Sequence, residues 1–156
     1  MIAEVIVETA TPLTIERATP ELRGAMVAMY QAFEPKGASL GLPPRANPEH
    51  WLDRPAAYPN FVARLGERIV GHAVLCPCGP SAEIAVFVHQ DFRGQGLGRR
   101  LLIALVDEAR RLRLRHAWGT TDLDNVPMLR LAHSLGFRCG QDPATFSLEL
   151  VPPPQE

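Results

Sequence analysis

The stretch that most constrains the fold of this chain is AEIAVFVHQDFRGQGLGRRLLIALVDEARRLRLRH, which runs from Ala82 to His116. It begins with β-branched and aromatic residues, a pattern that predicts a strand. Glycines follow at positions 94, 96 and 98, and beyond them apolar residues recur with helical spacing. Glycines between a strand and a helix allow phosphate groups to approach bare backbone N–H groups. The stretch therefore predicts a phosphate-binding loop.

The segments on either side of this stretch predict a mixed α/β fold. Upstream, we expect a strand in PLTIERAT, a helix in TPELRGAMVAMYQAF with Thr19 as its N-cap, and a hairpin in NFVARLGERIVGHAVLCP. Downstream, we expect a strand in HAWGTTD, a helix in NVPMLRLAHSLGF that ends at Gly136, and a final strand in FSLELV. The predicted order is β-α-(α)-β-β-β-α-β-α-β.

The residues between Glu34 and Asn60 are rich in proline and glycine, interrupted by a predicted short helix in PEHWLDR. Long excursions of this kind in compact domains are often binding segments. No repeat or linker divides the chain, so we expect one domain over residues 1–151 and a flexible proline-rich tail over residues 152–156. The final strand leaves an edge that must be covered or paired.

Composition narrows the class of partner. The chain has 156 residues, 46% of them hydrophobic and 21% charged, with a formal net charge of -1. This balance favours neither nucleic acid nor a membrane as the main partner. The first residues, MIAEVIVETA, lack the basic region of a signal peptide, so a cytoplasmic location is expected. Cysteines at positions 76, 78 and 139 give neither a disulfide framework nor a complete zinc site, and no metal is expected.

Three kinds of phosphate-binding loop can be compared with RGQGLG, residues 93–98. A Walker loop requires Gly-Lys-Ser/Thr at its end, but two arginines follow Gly98. A dinucleotide fingerprint that starts at Gly94 would require glycine at position 99. The third pattern, Arg/Gln-x-x-Gly-x-Gly/Ala, is matched by Arg93, Gly96 and Gly98. A diphosphate would then lie on N–H groups at the helix N-terminus, where the helix dipole adds about half a positive charge.

Residues from about Ala82 to Phe137 resemble the acetyl-coenzyme A binding core of the GNAT superfamily of N-acetyltransferases. The strand, glycine loop and helix of that family are matched by EIAVFVHQDFRGQGLGRRLL, and its later helix, Asn-x-x-Ala…Gly-Phe, by NVPMLRLAHSLGF. The later helix looks closest to that of Pat-type bacterial protein lysine acetyltransferases, which similarly carry Met-Leu-Arg-Leu-Ala. The resemblance implies an α/β fold whose mixed, mostly antiparallel sheet has splayed central strands and is flanked by helices.

The resemblance implies acetyl-coenzyme A as co-substrate, with its pantetheine arm in the gap between the splayed strands. The arm would pair with the main chain of one strand, and the diphosphate would lie against the glycine loop. Asn125 matches the family asparagine that bonds the pantetheine or holds the loop, and it equally suits an N-cap. The implied cofactor-binding residues are Val86, Phe87, Val88, Arg93, Gly94, Gln95, Gly96, Leu97, Gly98, Arg99 and Asn125.

The implied reaction is the attack of a primary amine on a thioester. An alkyl amine with a pKa near 10.4 is mostly protonated at pH 7, and its deprotonation costs about 4–5 kcal/mol, which a general base offsets. Glu83, at the start of the strand, matches a glutamate that several family members use as this base. Many members use a tyrosine seven residues after the asparagine as acid, but Ala132 stands there, and neither His133 nor Ser134 replaces it automatically. A backbone N–H, such as that of Val88, and water remain for the carbonyl and the departing thiolate.

The sequence indicates the acetyl acceptor less specifically than the acetyl donor. Family members bind acceptors beside the first helices, which indicates Tyr30, Phe33 and Glu34, although both aromatic residues also suit a core. A small-molecule amine and a protein lysine both remain open as acceptors. The alternative function is a non-catalytic acyl-coenzyme A sensor, in which the missing tyrosine reflects lost chemistry. Such folds often pair through strands near the carboxyl end, so a homodimer is one expectation.

Overall fold

A computed structural model of the chain describes residues 11–37, 42–141 and 144–150. The strands are β1 (Leu13–Arg17), β2 (Asn60–Leu65), β3 (Arg68–Cys78), β4 (Ser81–Val88), β5 (His116–Thr120), β6 (Arg138–Gln141) and β7 (Ala144–Glu149). The helices are α1 (Arg23–Ala32), α2 (Pro48–Leu52), α3 (Leu97–Arg111) and α4 (Val126–Ser134). These elements confirm the predicted mixed α/β class.

The strands form one sheet in the spatial order β1-β2-β3-β4-β5-β7-β6. Every neighbouring pair is antiparallel except β4 and β5, which run parallel. Their pairing is short, because it extends only from Ser81 to Glu83 on β4. From residue 84 to residue 88, β4 pairs with β3 alone among the described strands. The predicted splay of the central strands is therefore confirmed.

Two apolar cores lie on the two faces of the sheet, because alternate residues of a strand point to opposite faces. On one side, Leu101 and Leu105 of α3 pack with Ile84, and α4 joins the same core. On the other side, Met29 of α1 packs with Phe87. We call these sides the α3 face and the α1 face. The predicted apolar stripe of α3 is buried, and each fully buried leucine stabilises the fold by roughly 1.5–3 kcal/mol.

The first helix begins later than the sequence predicts. A 3-10 turn at Pro20–Leu22 precedes α1, so Thr19 is not the N-cap of that helix. The Thr19 carbonyl accepts the Leu22 N–H at 3.0 Å. The Thr19 hydroxyl bonds to the Glu21 carboxylate. The hydroxyl accepts no hydrogen bond from a helix N–H.

The strands at the carboxyl end also differ from the prediction. The sequence predicts one last strand whose edge must be covered or paired, whereas the chain forms two strands there. Both edges of β7 are paired because it lies between β5 and β6, and the edge strand is β6. The four residues of β6 read RCGQ, which is too short and too polar to show strand periodicity.

Residues 1–10 and 151–156, which include the predicted flexible tail, lie outside the described residues. The domain boundary at residue 151 therefore stays a prediction. Within the described ranges, no helix is both long enough and apolar enough to cross a membrane.

Candidate active site

A cleft of about 810 Å³ opens where β4 and β5 separate. Its walls come from the free edge of β4, the glycine loop, the β5–α4 loop with α4, and the segment after α1. The lining residues are Phe33, Pro35, Leu42, Val86, Phe87, Val88, Phe92, Arg93, Gly94, Gly96, Leu97, Gly98, Asp122, Asp124, Asn125, Pro127, Met128 and Leu131. All the cofactor-binding residues implied by the resemblance, except Gln95 and Arg99, are among them.

The glycine loop presents bare backbone to the cleft. Gly94 and Gly96 have φ angles of 77° and 82°, in the left-handed region that favours glycine. A Cβ at either position would meet no atom of the described protein within 4 Å. Gly96 is the N-cap of α3, and the first-turn N–H groups after it have no carbonyl within the helix to bond. The loop therefore offers hydrogen-bond donors to an anion at the positive end of the helix dipole.

Other residues of the loop have different roles. A Cβ on Gly98 would lie 3.2 Å from Leu131 Cδ2, so this glycine allows α3 to pack closely against α4. Arg99 is held away from the cleft, because its Nη1 donates to Ser134 Oγ at 3.1 Å. Gln95 is exposed and does not line the cleft. The hydrogen-bond donors that the loop presents to the cleft are therefore mainly backbone groups.

The free edge of β4 carries backbone groups that face the gap. The His89 N–H donates to the Val70 carbonyl of β3 at 2.9 Å. Because hydrogen-bonded and non-hydrogen-bonded pairs alternate along antiparallel strands, Val86 and Val88 turn their N–H and C=O groups away from β3 and toward the gap. Phe87 turns its backbone toward β3, and its side chain lines the cleft instead. This geometry does not favour the predicted main-chain contact of Phe87, because its backbone is turned toward β3.

Arg93 spans the end of the cleft. Its Nε donates to the Val88 carbonyl at 2.9 Å. Its guanidinium lies 5.1 Å from the centroid of the Phe33 ring, at a distance typical of a cation–π contact. Burial lowers the pKa of Arg93, because part of the guanidinium has lost its hydration. A partly desolvated cation interacts more strongly with an anion than one in water does.

Asn125 joins two elements at the opposite wall. Its Oδ1 accepts the Met128 N–H at 3.4 Å as the N-cap of α4, and its Nδ2 donates to Thr121 Oγ1 at 2.8 Å. Both ends of the amide therefore hold the β5–α4 loop, while the residue also lines the cleft. Asp122 and Asp124 line the cleft from the same loop, and no motif in the sequence indicated them as site residues. Their place just beyond a strand end is the signal that identifies them.

Glu83 lies at the closed end of the gap between β4 and β5. It does not line the cleft, but it is the last residue of β4 to pair with β5, opposite Trp118, and it is exposed. On its other side it pairs with Cys76 of β3. Burial, and then the charge of Glu83, raise the pKa of the Cys76 thiol. A carboxylate at this point can accept a proton from a group that reaches the end of the gap from the α1 face.

Apolar side chains close the cleft on the α1 face. Phe33, Pro35 and Leu42 line it from the segment after α1, beside the ring of Phe87. Phe33 and Phe87 contact each other edge-on, with ring centroids 6.1 Å apart. This wall suits an apolar group of the acceptor or of the acyl chain.

Gln90 fixes the segment after α1 to the chain that follows β4. Its Nε2 donates to the Ala32 carbonyl at 2.7 Å, and its Oε1 accepts the Glu34 N–H at 2.9 Å. The Glu34 carboxylate lies 3.5 Å from Lys36 Nζ, and Glu34 does not line the cleft. Of the three predicted acceptor residues, Phe33 is the one that reaches the cleft.

Tyr30 is 1% exposed and lies in the aromatic cluster behind the cleft. Its hydroxyl donates to His72 Nδ1 at 2.6 Å, and His72 Nε2 donates to Asn60 Oδ1 at 3.1 Å. These directions follow because an amide oxygen only accepts. Burial lowers the pKa of His72 to about 3 and raises the pKa of Tyr30, so both are neutral at pH 7. Burial leaves Tyr30 no surface for direct acceptor contact, and it instead supports the ring of Phe33.

No acid occupies the position on α4 where the resemblance implies a tyrosine. Ala132 is 0% exposed and packs in the core of the α3 face. His133 and Ser134 are exposed and do not line the cleft. The Ser134 hydroxyl donates to the Leu131 carbonyl at 2.7 Å. Within the described residues, α4 therefore offers no proton donor to a departing thiolate in the cleft.

Comparison with known proteins gives a family match over most of the chain. The sequence model described as the acetyltransferase (GNAT) family matches residues 25–137. The L-methionine sulfoximine/L-methionine sulfone acetyltransferase of Salmonella typhimurium is 44% identical over 57 residues, which are 36% of this chain and 33% of that relative. The L-amino acid N-acyltransferase MnaT of Escherichia coli is 42% identical over 88 residues, 53% of this chain and 51% of that relative. The matches thus span between a third and about half of the length of these curated relatives.

The fold is also similar to solved structures. The yncA protein of Salmonella typhimurium, solved with its cofactor acetyl-CoA, superimposes with a TM-score of 0.73 at 25% sequence identity. The match covers 89% of this chain and 94% of the other. The similarity therefore extends well beyond the stretch that carries the glycine loop.

Proposed function

The chain belongs to the acetyltransferase (GNAT) family, and on that basis we propose that it transfers an acetyl group from acetyl-coenzyme A to the primary amine of a small molecule. The observation that carries this proposal is the cleft between β4 and β5. It joins an unpaired strand edge to a glycine loop at a helix N-terminus. The first feature binds an extended arm and the second binds a diphosphate.

In this proposal, backbone groups bind the acyl donor, acetyl-coenzyme A. The N–H groups around Gly96 hold the diphosphate, and Arg93 adds a cation beside it. The N–H and C=O groups of Val86 and the N–H group of Val88 pair with the pantetheine arm as with an added strand, while the Val88 carbonyl accepts from Arg93. Asn125 keeps the opposite wall in place.

Glu83 acts as the general base. An arm that runs along β4 from the glycine loop brings the thioester to the closed end of the gap, where Glu83 lies. The acceptor amine gives a proton to Glu83 and attacks the carbonyl carbon, and a backbone N–H on the free edge of β4 stabilises the oxyanion. The C–S bond then breaks, the nitrogen gives up its second proton to water, and the thiolate takes a proton from water, so that an amide and a free thiol result.

For the acceptor, we favour the α-amine of an amino acid over a protein lysine. The two curated relatives are named for L-methionine sulfoximine, L-methionine sulfone and L-amino acids. The apolar wall formed by Phe33, Pro35 and Leu42 suits a side chain of that size. The likeness of α4 to Pat-type enzymes concerns the binding of acetyl-coenzyme A and not the choice of acceptor. Met128 and Leu131 of that helix line the cleft.

A second candidate function is a non-catalytic acyl-coenzyme A sensor. The observation that favours it is the burial of Ala132, where many such enzymes carry a tyrosine. A sensor needs the glycine loop but has no use for a general base. The two functions therefore differ in whether thiol is released and whether Glu83 matters.

The test is the release of free thiol from acetyl-coenzyme A with a panel of amines, amino acids and lysine peptides. We expect release that depends on an amino acid and binding of acetyl-coenzyme A that depends on Gly96. Gly96→Leu should weaken this binding by about tenfold or more, because each lost charge-assisted hydrogen bond costs about 1.5–3 kcal/mol.

Gly79→Leu is the matched control for this variant. Gly79 also has a positive φ, of 59°, and open space around its Cβ position, but it lies in the turn between β3 and β4, away from the cleft. Both variants should lose similar stability, and only Gly96→Leu should lose affinity. Full affinity in Gly96→Leu would contradict the site, and binding without thiol release for every amine would indicate the sensor.

A further inference from the structure

A row of five side chains crosses the sheet at the closed end of the gap. Strand register aligns Cys76 with Glu83, Glu83 with Trp118, Trp118 with Ser147, and Ser147 with Arg138. Residues aligned on neighbouring strands share a face, so all five side chains lie on the α1 face. We call this set the cross-strand row. It places the proposed base, an indole and a guanidinium along one line.

The cross-strand row is open to solvent. Glu83, Ser147 and Arg138 are exposed, and Trp118 is 37% exposed. Helices α1 and α2 pack on another part of this face, formed by β2, β3 and the carboxyl end of β4. Within the described ranges, no helix packs over the row. A small molecule can therefore reach Glu83 from this side.

The two charged members of the row have opposite signs and lie on either side of the indole. Neither Glu83 nor Arg138 has a hydrogen-bond or ion-pair partner among the described residues. On the same face, His116 Nε2 lies 3.8 Å from a carboxylate oxygen of Glu149. Within the part of the chain that the structure describes, both ends of the row are therefore open to a ligand.

Strand spacing gives the size of the ligand. Neighbouring strands lie about 4.8 Å apart, so the Cα atoms of Glu83 and Arg138, three strands apart, are roughly 14 Å from each other. Both side chains are long enough to shorten this distance by extending over Trp118. The space that remains has the dimensions of a small molecule with an amine at one end.

We propose that the acceptor carries a carboxylate as well as its amine, and that Arg138 binds this carboxylate while Trp118 forms the floor between the two groups. This inference deepens the proposed function and rests on it. A guanidinium binds a carboxylate through two parallel hydrogen bonds, and an indole face attracts an ammonium. The ammonium end then lies beside Glu83. A polycation would be repelled by Arg138, so the row selects a zwitterion such as an amino acid.

The experiment compares one acceptor with and without its carboxylate. Thiol release gives kcat/KM for L-methionine sulfone and for its carboxamide in the wild-type chain, in Arg138→Gln and in Arg110→Gln. Arg110 is an exposed arginine of α3, on the opposite face of the sheet, and serves as the matched control. Amidation also changes the pKa of the amine. Variants are therefore compared by the ratio of kcat/KM for the acid to kcat/KM for the carboxamide. We expect this ratio to fall about tenfold in Arg138→Gln, through the KM of the acid, and to stay constant in Arg110→Gln.

A second variant keeps Arg138 but gives it a carboxylate partner within the chain. Ser147→Glu puts a carboxylate directly opposite Arg138, where a cross-strand pair of opposite charges is favourable. The exposed position of Ser147 tolerates the change, and the new ion pair should lower the same ratio. Neither residue lines the cleft, so the affinity for acetyl-coenzyme A should match that of the wild-type chain in both variants.

An unchanged ratio in Arg138→Gln would overturn the inference and leave the proposed function intact, because the carboxamide would still be acetylated. Light scattering tests another occupant of the row, a second copy of the chain. If Ser147→Glu changes the oligomeric state while the ratio stays constant, the row is an interface and the inference is wrong. Absence of thiol release with every amine would overturn the inference and the proposed function together.

Discussion

Glu83 and Glu34 are both exposed glutamates on the α1 side of the molecule, but their surroundings differ. Glu34 lies outside the cleft, 3.5 Å from the amine of Lys36. Glu83 lies where β4 and β5 stop pairing, beside the path that an arm bound along β4 would follow. A general base must come within hydrogen-bond reach of the proton that it removes. At the scale of residues, position along a strand edge therefore makes Glu83 the candidate.

Glu83→Gln should lower kcat by about 10²- to 10⁴-fold, because the amide keeps the size of the side chain but cannot accept the proton. Binding of acetyl-coenzyme A should be unchanged, since Glu83 does not line the cleft. Steady-state thiol release between pH 6 and 9, together with calorimetric binding, measures both quantities. Glu67→Gln, in the exposed turn between β2 and β3, is the control and should retain full turnover. Turnover by the Glu83 variant at nearly the wild-type rate across this range would exclude the role as base.

At the scale of elements, the beginning of the gap depends on how closely β5 approaches its neighbours. Gly119 of β5 lies opposite Phe146 of β7. A Cβ on Gly119 would lie 2.3 Å from Phe146 Cζ and 2.9 Å from the Ile84 carbonyl oxygen of β4. Phe146 is 2% exposed, so its ring has no free space to move into. The absence of a side chain at Gly119 therefore lets β5 sit between a buried ring and the β4 backbone.

Gly119→Ala should destabilise the fold by about 1–3 kcal/mol, the usual cost of adding a group to a filled core. Urea unfolding, followed by circular dichroism, measures this change. Gly24→Ala is the matched control, because Gly24 lies in α1 with no atom within 4 Å of its Cβ position. It should stabilise the chain by about 0.5–1 kcal/mol, since alanine favours a helix more than glycine does. Equal stability of Gly119→Ala and the wild-type chain would contradict the packing that the structure gives to β5.

At the scale of the whole molecule, buried polar groups hold the layers together. The chain of hydrogen bonds from Tyr30 through His72 to Asn60 connects α1, β3 and β2. On the α3 face, the carboxylate of Glu108 bonds to Arg17 of β1 and to Arg111. Arg111, and then Arg17, hold the pKa of Glu108 below its usual range. These groups make stability depend on pH.

Stability should fall as the pH drops below about 6.5. The pKa of His72 is 6.5 when exposed and about 3 in the fold, so the unfolded chain binds a proton that the folded chain does not. The contribution of His72 to the free energy of unfolding is fully present above pH 6.5. It is lost at about 1.4 kcal/mol per pH unit down to pH 3. Burial also lowers the pKa of His89, which acts in the same direction. Below about pH 4.5, protonation of Glu108 adds a further loss.

Urea unfolding at pH 7, 6 and 5 measures this dependence. Between pH 6 and 5, the unfolding free energy of His72→Gln should change less steeply with pH than that of the wild-type chain. The difference in slope should be up to about 1.4 kcal/mol per pH unit, which corresponds to one proton. His133 is exposed on α4, so His133→Gln should retain the wild-type slope. Identical slopes in the wild-type chain and His72→Gln would show that His72 does not stay neutral in the fold.

By itself, the sequence determined the features whose causes are local. The strand, glycines and helix between Ala82 and Arg111 follow from residue periodicity and from the backbone freedom of glycine, and the later helix ends at Gly136 as predicted. Only the tertiary structure decided which segments meet. It placed β7 inside the sheet, buried Tyr30, turned the Phe87 backbone toward β3, and aligned Arg138 with Glu83. Register between strands far apart in the chain arises only when the strands pair, so no local pattern could contain it.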